Sequence, residues 1–314
     1  MTEAGQRARD LGLLAGKLIL SALLLVLLLR RQSFTELSVA WAHAARRPVL
    51  LAAFLVMVFI ALRALRWHFL LRLGRNRASL GEALRSYLTA LPFAVLTPAR
   101  AGEMARAFFV AGRDRPQLLG LLVAEKLADA GAVALMFLGG VALASGRNGL
   151  MLYGILVLLI TLLMLRQTDA PPPPAAELPV ASLVQRILAA LRLLDRSHAL
   201  ILVLLTLGGY GTLLVQYFLL LNAHQAVGWM PVLVVYPAIL AANLFPLTLG
   251  GLGAREWVAA VLLPQFGISA AAGVNATFGI YLIDLLLPAL CGALLILGAR
   301  GRVSREVQLP RGPT

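Results

Sequence analysis

Two charged, helix-breaking stretches hold the residues of this chain that are able to do chemistry. They are Leu96-Thr97-Pro98-Ala99-Arg100-Ala101-Gly102-Glu103 and Leu247-Thr248-Leu249-Gly250-Gly251-Leu252-Gly253-Ala254-Arg255-Glu256. Each joins turn residues to an Arg and a Glu between apolar segments short for a full crossing, the sequence pointer to a midplane site in internally repeated carriers. Glycines permit sharp turns, and a helix starting after such a turn offers free N–H groups and the positive end of its dipole to an anion. An arginine adds a planar fork that can donate two hydrogen bonds to a phosphate. The candidate substrate-binding residues are therefore Thr97, Arg100, Gly102, Glu103 and Arg106 in the first stretch, and Gly250, Gly251, Gly253, Arg255 and Glu256 in the second. A bland alternative is mutual neutralisation, Arg100 or Arg106 by Glu103 and Arg255 by Glu256 or Asp284.

Further acids follow each stretch. Glu125 and Asp129 stand four apart with Lys126 between them, and Asp284 occupies the analogous place later; 26 residues separate Glu103 from Asp129 and 28 separate Glu256 from Asp284. Carboxylates in a low-dielectric cavity can take up and release a proton, so Glu125, Lys126, Asp129 and Asp284 are proton-coupling candidates. A static ion-pair network is the competing reading.

The elements that must position these groups are membrane helices. Hydrophobic residues make up 60% of the 314 and charged residues 13%, with a mean hydropathy of +0.86. Residues 11–29, 49–71, 118–144, 150–165, 199–221 and 270–298 are each apolar for about the length of a crossing. Regions 80–111 and 231–266 are apolar but broken by Pro and Gly, and their second arms would reach only ~16 and ~20 Å against ~30 Å of hydrocarbon. The expected fold is all-α and polytopic, with about six crossing helices and two re-entrant helical hairpins in an inverted repeat. Residues 1–167 form the first repeat, 168–197 a cytoplasmic linker with Pro171 to Pro174 and an amphipathic helix, and 198–314 the second repeat. Run 11–29 is read as an uncleaved helix, because its candidate cleavage sites lie well beyond Arg30 and Arg31.

The formal charge of +14 comes from 28 basic and 14 acidic residues. With both termini in the cytoplasm, 19 of the basic residues fall on that side and five outside, as the positive-inside rule expects of a bacterial cytoplasmic-membrane protein. The surplus points to anionic lipid headgroups as partners, and nucleic acid is not expected. Arg63-Ala64-Leu65-Arg66-Trp67-His68-Phe69 with Arg72 reads as an interfacial anchor. Cys291, the single cysteine, is expected to be a packing residue. The four histidines lack metal-ligand spacing, so neither metal nor cofactor is expected. Gly250 to Gly253 lacks the strand and the Gly-Lys-Ser/Thr ending of a phosphate loop, which excludes an NTPase.

Thr97-Pro98-Ala99-Arg100-Ala101-Gly102-Glu103-Met104-Ala105-Arg106-Ala107, followed by Ala124-Glu125-Lys126-Leu127-Ala128-Asp129, resembles the paired motif of the lysylphosphatidylglycerol synthase transmembrane-region family. The second half, from Phe245-Pro246 through Gly250-Gly251-Leu252-Gly253-Ala254-Arg255-Glu256 to Ile283-Asp284-Leu285 and Pro288, is similar to that family's second signature. Lys126 stands where Arg is common, and Tyr281 where many members carry a basic residue. The resemblance implies a flippase-like lipid carrier and covers essentially the whole chain; it does not extend to the aminoacyl-transferase domain of full-length synthases.

The leading expectation is a transporter, not an enzyme, that moves an anionic amphiphile between leaflets. Its cargo would be a polyprenyl-phosphate-linked sugar or a modified phospholipid. Two other classes compete: an integral-membrane transferase using Glu103 or Asp129 as general base, and a non-transporting accessory to a lipid-linked glycosyltransferase.

Overall fold

The computed structural model describes residues 39, 41–74, 77–97, 100–110, 115–166, 195–243 and 251–308. The expected helix over 11–29, nearly all of the linker 168–197, and Pro98, Ala99 and 244–250 at the two tips lie outside the described residues. The elements are α1 (Arg46–Leu73), α2 (Leu80–Leu96), a 3-10 segment (Ala101–Phe108), α3 (Arg115–Ala144), α4 (Gly146–Arg166), α5 (Arg196–His224), α6 (Trp229–Ala242), α7 (Ala254–Leu262), a second 3-10 turn (Leu263–Phe266), α8 (Ala270–Tyr281), a π-turn (Leu282–Leu286) and α9 (Leu287–Gln308).

Four stretches are long and apolar enough to cross a membrane: Arg46–Leu73, Arg115–Ala144, Arg196–His224 and Ala270–Gly298. They coincide with four of the six expected crossings, and α4 covers a fifth. The outer surface is apolar in the way lipid requires. On α1, Leu50, Phe54 and Met57 are 65% to 68% exposed, a display that would aggregate in water. Cys291 also faces outward and does not pack inside. Among the described residues the fold is all-helical, and the chain is a multi-pass membrane protein.

Both interrupted regions form hairpins. Ser79 caps α2 through a capping box with Glu82, and the 3-10 segment folds back against α2. That segment is 3-10 and not α, with Glu103 N–H bonded to Arg100 O at 3.0 Å and Phe109 N–H to Arg106 O at 3.1 Å; at ~2.0 Å per residue it spans ~16 Å. In the second hairpin α7 folds back against α6.

α1 packs along α5. Around that pair the halves exchange partners: α2 lies on α9, and α6 lies on α3. Both exchanges use the same device. Pro92 in α2 has no N–H for the Leu88 carbonyl four residues earlier, and Gly292 of α9 lies so close that a Cβ there would overlap that carbonyl. Pro237 in α6 stands in the same relation to Leu233, where a Cβ at Gly140 of α3 would lie 3.0 Å from the Leu233 oxygen. A third proline shapes the last span. Pro288 cannot donate to the carbonyl of Asp284, and the helix passes this point as the single π-turn Leu282–Leu286.

Candidate functional site

In the first half three elements converge on a buried ion-pair network. Arg63 and Arg66, one turn apart on α1, point at Glu125 and Asp129, four apart on α3. Arg66 Nη1 donates to Asp129 Oδ1 at 2.7 Å and Nη2 to Glu125 Oε1 at 2.5 Å, while Arg63 Nη1 meets Asp129 Oδ2 at 2.9 Å. From the 3-10 segment Arg106 Nη2 donates to Glu125 Oε1 at 3.1 Å, its guanidinium lying 5.2 Å from the Trp67 ring and 5.5 Å from that of Tyr87. Glu103 binds Lys126 and approaches Arg100 Nε at 2.8 Å. Five cations thus surround three carboxylates. Each carboxylate faces at least two cations, so removing one acid would leave buried guanidinium groups unpaired, which is costly at low dielectric.

The second half is sparser. Arg255 and Glu256 are buried at the start of α7, but their closest charged atoms are 3.8 Å apart. Glu256 Oε2 instead accepts from Gly253 N–H at 2.8 Å and closes the helix start, and the Arg255 guanidinium lies 4.7 Å from the Tyr281 ring centre. Asp284, on the π-turn, accepts from Gln216 Nε2 of α5 at 2.9 Å and makes no ion pair among the described residues.

Residues flanking the two tips line one cavity of about 50 Å³. Arg100 lines it from the first hairpin and Arg255 from the second, with Asp284, Tyr281, Tyr236 and Asn243 around them. That volume holds a few waters or one phosphate-sized group. Its polar lining is two guanidiniums, one carboxylate and neutral donors, a composition that attracts an anion.

The other expected site residues build the tips. Thr97 Oγ1 accepts from Gly102 N–H at 2.6 Å and donates to Phe93 O at 2.8 Å, tying the two arms together. Gly102 serves close approach and not a turn, since a Cβ there would overlap the Phe93 carbonyl; among the described residues of this tip the left-handed one is Arg100, φ 56°. In the second tip Gly251 and Gly253 do carry positive φ, 80° and 86°, and Gly250 lies outside the described residues. The free N–H donors expected at each second arm are partly consumed internally, Gly102 by Thr97 and Gly253 by Glu256. The guanidinium groups of Arg100 and Arg255 bring full positive charge to the cavity.

One expectation is overturned. Arg63, Arg66 and Trp67 are not an interfacial anchor: Arg66 is 1% and Trp67 0% exposed, and Trp67 Nε1 donates to Ser86 Oγ at 2.9 Å. Their helix face is drawn inward by the two α3 carboxylates. The spacing of two arginines one turn apart and two acids four apart carried this signal, whereas nothing marked Gln216, Asn243 or Tyr236.

No curated protein sequence matches the chain. The sequence profile described as lysylphosphatidylglycerol synthase TM region matches residues 14–292, a stretch that includes both hairpins and every charged residue placed above, and the chain therefore belongs to that family.

Proposed function

We propose that the protein carries an anionic amphiphile between membrane leaflets, its phosphate seated between Arg100 and Arg255 while the tails remain in lipid. Family membership and the multi-pass helical fold support a membrane lipid-related role. The observation that carries the finer reading is the cavity: both hairpins bring a guanidinium to one small space, and neither arginine is fully matched there. The exchanged contacts of Pro92 with Gly292 and Pro237 with Gly140 support two halves related as an inverted repeat, which would rock about the shared site to expose it alternately. On this reading the protein sits in the bacterial cytoplasmic membrane with both termini in the cytoplasm. Its cargo is a polyprenyl-phosphate-linked sugar or a modified phospholipid, supplied or consumed by a lipid-linked glycosyltransferase.

The test is headgroup sidedness in proteoliposomes. With fluorescent phosphatidylglycerol and an impermeant quencher, the wild type is expected to exchange leaflets, and Arg100→Glu and Arg255→Glu each to slow exchange at least about tenfold, since a charge-assisted contact contributes ~1.5–3 kcal/mol. Folded variants that translocate at the wild-type rate would overturn the reading.

A further inference from the structure

We propose that Asp284 is a proton site thermodynamically linked to the anion site, so that an anionic phosphate group and a proton are bound and carried together. The inference rests on the anion reading above and adds the coupling ion.

Among the described residues five acids lie buried near the two hairpins, and four of them are committed. Glu103 holds Lys126 and Arg100, Glu125 holds Arg66 and Arg106, Asp129 holds Arg63 and Arg66, and Glu256 closes the start of α7. Asp284 differs. Among the described residues it makes no ion pair: its Oδ1 accepts from Gln216, and its Oδ2, like Glu125 Oε2 and Glu256 Oε1, is buried without a hydrogen-bond partner. It also lines the same cavity as Arg100 and Arg255.

The surrounding charges fix the sign of the coupling. Three cations act on Asp284: Arg100 just before the 3-10 segment, Arg255 from α7 and, more weakly, Arg63 from α1. Glu256 of α7 is turned to Gly253. The phenols on this side are Tyr87 of α2, Tyr236 of α6 and Tyr281 of α8, and α5 contributes the neutral Gln216. With Asp284 ionised, the cavity's two guanidiniums are half neutralised and the carboxylate repels an entering phosphate. With Asp284 protonated, that neutralisation and repulsion are lifted, and the two guanidiniums, opposed only by Glu103 beside Arg100 and the more distant Glu256 beside Arg255, attract the phosphate more strongly. Anion affinity must therefore rise as the pH falls, and by reciprocity anion binding must draw a proton from solution.

A metal cation is the wrong coupling ion for this place. Hard cations need several oxygen ligands, whereas the groups presented to Asp284 are N–H donors, Gln216 Nε2 and two guanidiniums. The helix geometry fits a moving part: Asp284 sits on a π-turn in mid-span, forced by Pro288, and such turns are common at functional sites.

The experiment is calorimetric titration of detergent-solubilised full-length protein with phosphatidylglycerol, and separately with sn-glycerol 3-phosphate, in buffers of different ionisation enthalpy from mildly acidic to mildly alkaline pH. The expected result is proton uptake on binding in the wild type, with affinity changing about 5- to 150-fold across the range, the usual span of a coupling between sites. Asp284→Asn should bind at the tight limit at every pH without proton uptake, and Asp284→Glu should restore the pH dependence. Wild-type binding without proton uptake overturns the proposal and leaves the anion site standing; no wild-type measurement depends on a variant folding. Binding of glycerol phosphate but not of the lipid, with uptake that Asp284→Asn abolishes, supports the linkage and removes the lipid reading; uptake that the variant keeps belongs to the phosphate monoester itself, which titrates at about pH 6, and overturns the linkage. Absence of binding by either probe overturns both.

Discussion

Gly292 of α9 lies against the carbonyl of Leu88, the group in α2 that Pro92 leaves without its helical donor. Gly140 of α3 repeats the relation with Leu233 below Pro237. In each case a proline opens a carbonyl on the first arm of a hairpin and a glycine from the opposite half moves in, close enough for Cα–H contact to offset the missing bond in part. The two sites differ in tightness, which gives a graded expectation. Gly292→Ala should cost about 3 kcal/mol or more, because the new methyl meets backbone that cannot swing aside. Gly140→Ala, where the nearest oxygens are 3.0 and 3.1 Å from the new carbon, should cost only about 1 kcal/mol. Thermal unfolding in detergent followed by tryptophan fluorescence reads both; equal losses would show that the contacts are not the close approaches described.

Arg66 should be the most costly charge to remove from the first half. It hydrogen-bonds both α3 carboxylates and also Thr206 of α5, at 2.9 Å, whereas Arg63 comes no nearer than 3.8 Å to Glu125. Arg66→Leu leaves two buried acids short of a partner and is expected to destabilise the protein by about 3–5 kcal/mol. Arg66→Lys should recover less than half of that, since a single ammonium cannot span Glu125 and Asp129 as the fork does. Full rescue by lysine, measured as unfolding temperature, would mean that charge alone matters there.

Thr97 is expected to act on the hairpin and not on the cargo. Its hydroxyl is occupied at both ends, by Gly102 N–H and by Phe93 O, so Thr97→Val should cost about 1–3 kcal/mol for the stranded Gly102 donor. Affinity for phosphatidylglycerol in the folded fraction should be unchanged, and Thr97→Ser should restore stability. Loss of affinity at full stability would return Thr97 to the binding site.

Much of this architecture was legible because hydropathy and breaking residues are local signals. The four long spans, both hairpins and the pairing of charged tips follow from apolar length, Pro and Gly. What escaped depends on which way a helix face turns. Arg63, Arg66 and Trp67 have the composition of an interfacial belt, and only the acids on another helix decide that they face inward. Tyr236 and Gln216 entered the site through the packing of α6 and α5, which no spacing in their own segments records. Even Gly102 departs from the turn role its residue type suggests: its missing Cβ matters for contact, and among the described residues of that turn the left-handed one is Arg100.

On the proposed function, that arginine sets stability against anion binding. Arg100 is held at φ 56°, a region that costs a residue with a side chain about 1–2 kcal/mol and glycine almost nothing. A fold selected for stability alone would place glycine there; retaining arginine makes sense if its guanidinium is needed at the cavity. Arg100→Ala and Arg100→Gly remove the same charge and the same contact with Glu103, which keeps Lys126 in both. They differ only in backbone strain. Arg100→Gly is therefore expected to be about 1 kcal/mol more stable than Arg100→Ala, while both lose affinity for phosphatidylglycerol by about tenfold or more, the value of one charge-assisted contact. Equal stability of the two variants would show that the left-handed conformation is absent in the protein, and undiminished affinity would remove Arg100 from the site.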